Sequence, residues 1–128
     1  MIEALAAAVI ILTPRQAPEA LPNIIPNRYQ DSGHDIWDTA PKWVRELGAC
    51  IRKHESNHRY TAQNPVSSAA GAYQFLTATW QGNAKWVKGA GQYMIARHAP
   101  PRVQDAVFIH SIKQGGIKAW HGTWCPGT

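Results

Sequence analysis

Between Glu55 and Asp105 the chain carries no Asp or Glu, and no Glu follows Glu55. That gap excludes a pair of side-chain carboxylates from the middle of the chain. Acid chemistry there falls to Glu55 alone. Cysteine is almost as scarce, with only Cys50 and Cys125. Two buried thiols are ordinary in a reducing compartment, so the count by itself decides nothing. Were they joined, the bridge would close a long loop worth about 4–5 kcal/mol on the chain-entropy account and would imply an oxidising compartment. No apolar run is long enough to span a bilayer. The longest, residues 2–12, is apolar apart from Glu3 and is eleven residues long, where a span needs about 20. It has the length of a signal-peptide core but lacks a basic flank and a clean small-residue cleavage site. No internal repeat and no low-complexity tract occurs.

What is present is enough for one domain of moderate size. The 128 residues are 45% hydrophobic and include six Trp, at least half of which are expected to pack a core. The net charge of +5 is uneven. Residues 1–41 hold two Arg against five carboxylates, and residues 42–128 hold eleven Lys and Arg against three. A basic globule behind a mildly acidic leader suits a polyanionic partner, either nucleic acid or an anionic cell wall, or serves solubility alone.

The organisation reads as three parts: an apolar segment over 1–13, a Pro-rich linker over 14–40 ending between Trp37 and Trp43, and a domain over 41–128. Pro41 suits the start of a helix. Val44, Leu47, Cys50, Ile51 and His54 then recur at three- and four-residue spacing along one face, with Glu55 on its border. Asn64-Pro65 marks a turn, and residues 66–72 are small and read as a loop crossing in front of that helix. Thr77 is placed to cap a second helix running to Val87. A short helix is expected over Tyr93–Ala96, and another from Pro101 through Val103, Ala106, Val107, His110 and Ser111 to Gly115-Gly116. The tail is aromatic and irregular.

His54-Glu55-Ser56-Asn57-His58 admits two chemistries. As H-E-x-x-H it offers two imidazoles one helical turn apart and a carboxylate to activate metal-bound water, as in a zinc peptidase. A third ligand is then required. The extended pattern asks for Gly at 61 and His at 64, where the chain has Thr61 and Asn64. His98, Asp105, His110 and His121 remain, with no favourable spacing. In the second reading Glu55, at the edge of an apolar helix face, has its carboxyl pKa raised by partial burial and serves as a general acid. A pairing of Glu55 with Arg52 or Arg59 would make it purely structural.

The wider pattern favours the second reading. Cys50-Ile51-Arg52-Lys53-His54-Glu55-Ser56, Tyr60-Thr61-Ala62-Gln63-Asn64-Pro65, Ser68-Ala69-Ala70-Gly71-Ala72-Tyr73-Gln74-Phe75 and Thr79-Trp80 occur in order, followed by Ala99-Pro100-Pro101-Arg102-Val103-Gln104-Asp105 and Trp124-Cys125. Over residues 43–125 the chain resembles the transglycosylase-like, resuscitation-promoting-factor-like domains of actinobacteria and their phages. The resemblance implies a mainly α, α+β lysozyme-like fold: a small helical globule around a glycan cleft, closed by a Cys50–Cys125 disulfide. It implies Glu55 as catalytic acid, with Ser56, Asn64, Tyr73, Gln74, Thr79 and Trp80 binding or supporting the glycan. The substrate it implies is peptidoglycan, cut at the β-1,4 bond between N-acetylmuramic acid and N-acetylglucosamine.

Tyr73 and Trp80 offer flat faces for sugar rings. Asn64, Gln74 and Thr79 offer hydrogen bonds. The missing second carboxylate adds that the substrate's own acetamido or 6-hydroxyl group, or a water, serves as nucleophile. The expectation is a monomer that is secreted or wall-associated, without cofactor, metal, nucleic-acid partner or stable membrane span. Two features depart from the family: Asn57-His58 stands where Gly-Gly is often found, and the stretch from Trp120 to Cys125 is longer.

Overall fold

A computed structural model describes residues 36–128. The apolar segment over 1–13 and all but the end of the 14–40 stretch lie outside the described residues. The described chain is mainly helical. Helix α1 spans Lys42–Ser56, α2 spans Thr77–Ala84 and α3 spans Pro101–Lys113; short 3-10 turns cover Ala90–Gln92, Ala96–His98 and Gly116–Thr123. None of the described helices is long and apolar enough to cross a membrane.

α1 begins one residue after Pro41, which occupies the cap position itself. Its buried residues are Val44, Leu47, Gly48, Ile51 and Ser56. At 100° per residue Glu55 falls about 30° from the centre of the Val44–Ile51 stripe and His54 about 70°. That offset accounts for a correction. His54, expected on the apolar face, is exposed, whereas Glu55 is half-buried. Gly48 is where the helix is approached most closely: a Cβ there would meet the Trp37 ring at 2.9 Å and the Phe108 ring at 3.1 Å. Residues 36–39 are helical too, so Trp37 lies against α1.

α1 stops at two successive left-handed residues, Asn57 (φ 55°) and His58 (φ 64°). The Asn57 and His58 amides close the last turn by donating to Lys53 O and Arg52 O, at 3.2 and 3.0 Å. Both positions take a positive φ, a conformation that favours glycine, and here Asn and His occupy them.

The small-residue stretch forms two isolated antiparallel bridges rather than strands, Gln63 with Ala70 and Ala70 with Phe75. Ala70 and Ala72 are fully buried, so no larger side chain fits there. α2 differs from expectation at both ends. Leu76 is its cap residue, and the Thr77 amide donates to Ser68 Oγ at 3.1 Å. The helix ends at Ala84, and the Trp86 and Val87 amides make tight-turn bonds to Asn83 O and Ala84 O before Gly89 turns left-handed (φ 77°). The expected helix over Tyr93–Ala96 is instead split: Tyr93 and Ile95 are extended between two 3-10 turns.

α3 follows the expected span and is the central element. Val103, Gln104, Ala106, Val107, Phe108, Ile109 and Ser111 are all buried, more than a single stripe. Its Phe108 stacks on Tyr73 (4.3 Å between centroids, 7° between planes) and meets Trp120 edge-on at 5.2 Å. Phe75 joins Trp80 and Trp120 at 5.6 and 5.4 Å. Trp80 and Trp120 are buried and Trp37 is half-buried against α1, while Trp43, Trp86 and Trp124 are exposed. The Cys50–Cys125 disulfide is formed and ties the tail to α1 across 75 positions of sequence.

Candidate active site

Glu55 sits in the last turn of α1 and is half-buried. Burial pushes its pKa above the ordinary carboxyl value, and positive charge at His54 opposes that shift without reversing it. Among the described residues no hydrogen bond or ion pair engages the carboxylate. Its two candidate partners in α1's neighbourhood are placed otherwise. Arg52 donates from Nη1 to the Tyr73 hydroxyl at 2.8 Å and lies 3.6 Å from Asp105 Oδ1. Arg59 is exposed and follows the left-handed turn.

Ser56, the next residue, is buried and structural in its contacts. Its hydroxyl donates to Ala72 O at 2.8 Å and accepts from the Arg59 amide at 3.0 Å. This bond fastens the 71–75 loop against the end of α1, beside Glu55. Gln104 holds the same loop from α3. Its Oε1 accepts from the Ala72 amide (2.9 Å), and its Nε2 donates to Tyr60 O (2.9 Å) and Ala99 O (2.8 Å). Gly71 is required by that approach: its φ is +82°, and a Cβ would stand 2.5 Å from Gln104 Oε1.

The predicted site residues divide. Gln74 is half-buried in the loop fastened to α1, at a left-handed φ of 54°, with Nε2 donating to Gly71 O. Thr79 is exposed on the first turn of α2. Asn64 is half-buried and shapes its turn by accepting the Val66 amide on Oδ1 at 2.8 Å. Tyr73 and Trp80 are corrections to the expectation of sugar-stacking faces. Both are 0% exposed. Tyr73 is sandwiched into the aromatic core, and Trp80 Nε1 donates to Tyr93 O at 2.7 Å. Their rings support the loop and α2 from beneath.

Sequence reasoning missed the polar cluster under this loop. Asp105 Oδ1 accepts from the Tyr60 and Tyr73 hydroxyls at 2.8 and 2.5 Å and pairs with Arg52, with side chains of both charged residues 14% exposed. Burial raises the Asp105 pKa, outweighing the hydrogen bonds from Tyr73 and Tyr60 and the nearby Arg52 charge, all of which lower it. The Trp37 ring covers the Arg52 guanidinium at 5.0 Å. No local pattern joins groups 21 to 45 positions apart.

The H-E-x-x-H geometry is not formed. α1 ends at Ser56, so His54 and His58 do not stand one turn apart on a helix; His58 lies past the end in a left-handed conformation. What remains is a carboxyl group that is half-buried and, among the described residues, unpaired, on a helical scaffold beside a loop fixed by Ser56, Gly71 and Gln104.

Over 70 residues the chain is 40% identical to "Probable transglycosylase SceD" of Staphylococcus aureus strain Newman, an alignment covering 55% of this chain and 29% of that protein. The same identity and coverage hold for the proteins of that description in strains Mu3 / ATCC 700698 and USA300. The chain therefore matches less than a third of the length of these curated relatives. No family model matches, and no solved structure matches.

Proposed function

We propose that this domain cleaves the β-1,4 bond between N-acetylmuramic acid and N-acetylglucosamine in peptidoglycan, with Glu55 as the one protein acid. The observation that carries the reading is the Glu55 carboxyl: half-buried, unpaired among the described residues and raised in pKa. The similarity to a probable transglycosylase supports the substrate class. Glu55 protonates the glycosidic oxygen as the bond from that oxygen to the sugar's C1 breaks. The substrate's 6-hydroxyl, or its acetamido group in a first step, attacks C1. With the 6-hydroxyl, the released proton returns to Glu55 and the product is a 1,6-anhydro sugar.

Asp105 is occupied by Arg52, Tyr60 and Tyr73, which supports a mechanism without a second protein carboxylate from that helix. Gln74, Thr79 and Asn64 supply polar contacts to hydroxyl and acetamido groups. Ser56, Tyr73 and Trp80 hold the loop and α2 in place. The protein acts at the cell wall, secreted or wall-associated.

Glu55→Gln tests the reading. It keeps the shape and removes the proton donor, so release of muropeptides from purified walls is expected to fall at least about a thousandfold. Undiminished release would overturn the proposal. Binding to walls without release by the unaltered protein would identify a silent wall-binding module. Mass spectrometry of the released fragments then separates anhydro from reducing ends.

A further inference from the structure

Of the H-E-x-x-H stretch, the proposed function uses only the acid. His54 has a different set of neighbours from the one its motif suggests. A ring nitrogen of His54, Cys50 Sγ and Cys125 Sγ all lie within 4.8 Å of one another. Cys50 and His54 stand four residues apart on α1, and Cys125 arrives from the tail.

The tail does not depend on the disulfide alone to stay there. Trp120 is buried, with Nε1 donating to Tyr73 O at 2.8 Å. Thr123 Oγ1 donates to Trp120 O at 2.7 Å and accepts the Cys125 amide at 3.2 Å. The Thr128 hydroxyl donates to Cys125 O at 2.6 Å. This run of bonds ties the tail to the 71–75 loop and orders the backbone around Cys125 in addition to the disulfide.

We propose that, once the Cys50–Cys125 bond is reduced, Cys50, His54 and Cys125 form a binding site for one thiophilic divalent cation of the zinc class. A dithiol supplies two electrons and two protons and closes to its own disulfide, or a phosphine supplies the electrons and leaves as its oxide while water supplies the oxygen and the two protons; the S–S bond breaks and two thiols form. The cation then displaces both thiol protons to solvent and takes a nitrogen lone pair from neutral His54. Tetrahedral zinc with bonds of about 2.3 Å to sulfur sets the two sulfurs about 3.8 Å apart. The Cα atoms of the two cysteines are 6.0 Å apart, so rotation of the side chains reaches that spacing without moving the backbone. His54 is exposed, which leaves the fourth position to water. Thiolate and imidazole donors select zinc and its relatives over magnesium or calcium. The chain therefore holds its tail to α1 by either of two devices, a covalent bond when oxidised or a metal clip when reduced.

The test uses the full chain, reduced with a phosphine under anaerobic conditions and titrated with cobalt(II), then with zinc in competition. Far-ultraviolet circular dichroism follows the fold. The expected result is one cobalt per reduced chain, with thiolate-to-cobalt charge-transfer absorption and tetrahedral visible bands that zinc abolishes. The oxidised chain shows neither. His54→Ala weakens binding at least about tenfold, Cys125→Ser removes the charge-transfer band, and His58→Ala changes nothing. A reduced chain that stays folded without these bands overturns the proposal. So does equal binding by His54→Ala, or a loss on His58→Ala as large as on His54→Ala. Should reduction unfold the chain, zinc is expected to restore its helical signal, and failure to do so overturns the proposal as well.

Discussion

At the scale of single residues, Glu55 and His58 carry the sharpest expectations. The Glu55 pKa is raised by burial, and a general acid works only while protonated. Activity should therefore fall as pH rises through a value above the ordinary Glu pKa of about 4.3. Positive charge at His54 opposes the shift, so His54→Ala should move this falling limb of the kcat/KM profile to higher pH. The same displacement has a stability consequence. A raised folded-state pKa favours the fold below the unfolded value, and that contribution disappears as pH rises through the folded one. Glu55→Gln is thus expected to melt with the unaltered protein in acid and above it at neutral pH, which a calorimetric series across pH reads directly. His58 sits at φ 64° with an exposed side chain. His58→Gly should raise stability by roughly 0.5–1 kcal/mol in urea unfolding, because only glycine holds that conformation without steric cost.

At the scale of elements, the loop between α1 and α2 has the least freedom to change. It is fastened by Ser56 to Ala72 O and by Gln104 to the Ala72 amide, and the second bond requires Gly71 to approach α3 bare. Gly71→Ala meets a strained φ and drives Cβ into Gln104 Oε1. The expected loss is about 3 kcal/mol, combining left-handed strain with a broken buried hydrogen bond. Activity should fall with it, since the loop carries Gln74 beside the end of α1. Retention of the melting midpoint in Gly71→Ala would show that the loop can yield. α1 and α3 were visible in the sequence because their apolar stripes repeat at helical spacing, and α3 opens with Pro100-Pro101. α2 was legible only roughly. Its eight residues offer little periodicity, and its cap uses the distant Ser68 hydroxyl instead of Thr77.

At the scale of the molecule, the disulfide connects the end of the chain to α1. Its reduction should cost about 3 kcal/mol, below the chain-entropy value as is common for measured bridges, with no further loss where the folded tail keeps its hydrogen bonds. Denaturant curves with and without a phosphine reductant, in metal-free buffer, measure this. A cost near zero would mean that the Trp120 and Thr123 contacts suffice. Adding zinc to the reduced chain separates the covalent contribution from any metal clip.

Position along the chain determined a good deal. Helical phase put Glu55 at the border of the apolar face of α1, and the gap to Asp105 left it without a nearby carboxylate, because both are read without reference to the rest of the fold; its choice as the acid came with the family resemblance. The pairing of Cys50 with Cys125 was available only through a family resemblance, and the folded chain bears it out. Tertiary structure decided what side chains meet. It sent Arg52 to Asp105 and Tyr73, leaving Glu55 unpaired among the described residues. It turned Tyr73 and Trp80 into the core, because burying large rings outweighs presenting them to solvent. It also moved His54 from a pairing with His58 to the side of two sulfurs. Contacts between groups tens of positions apart depend on how helices pack, and no short stretch of sequence encodes that.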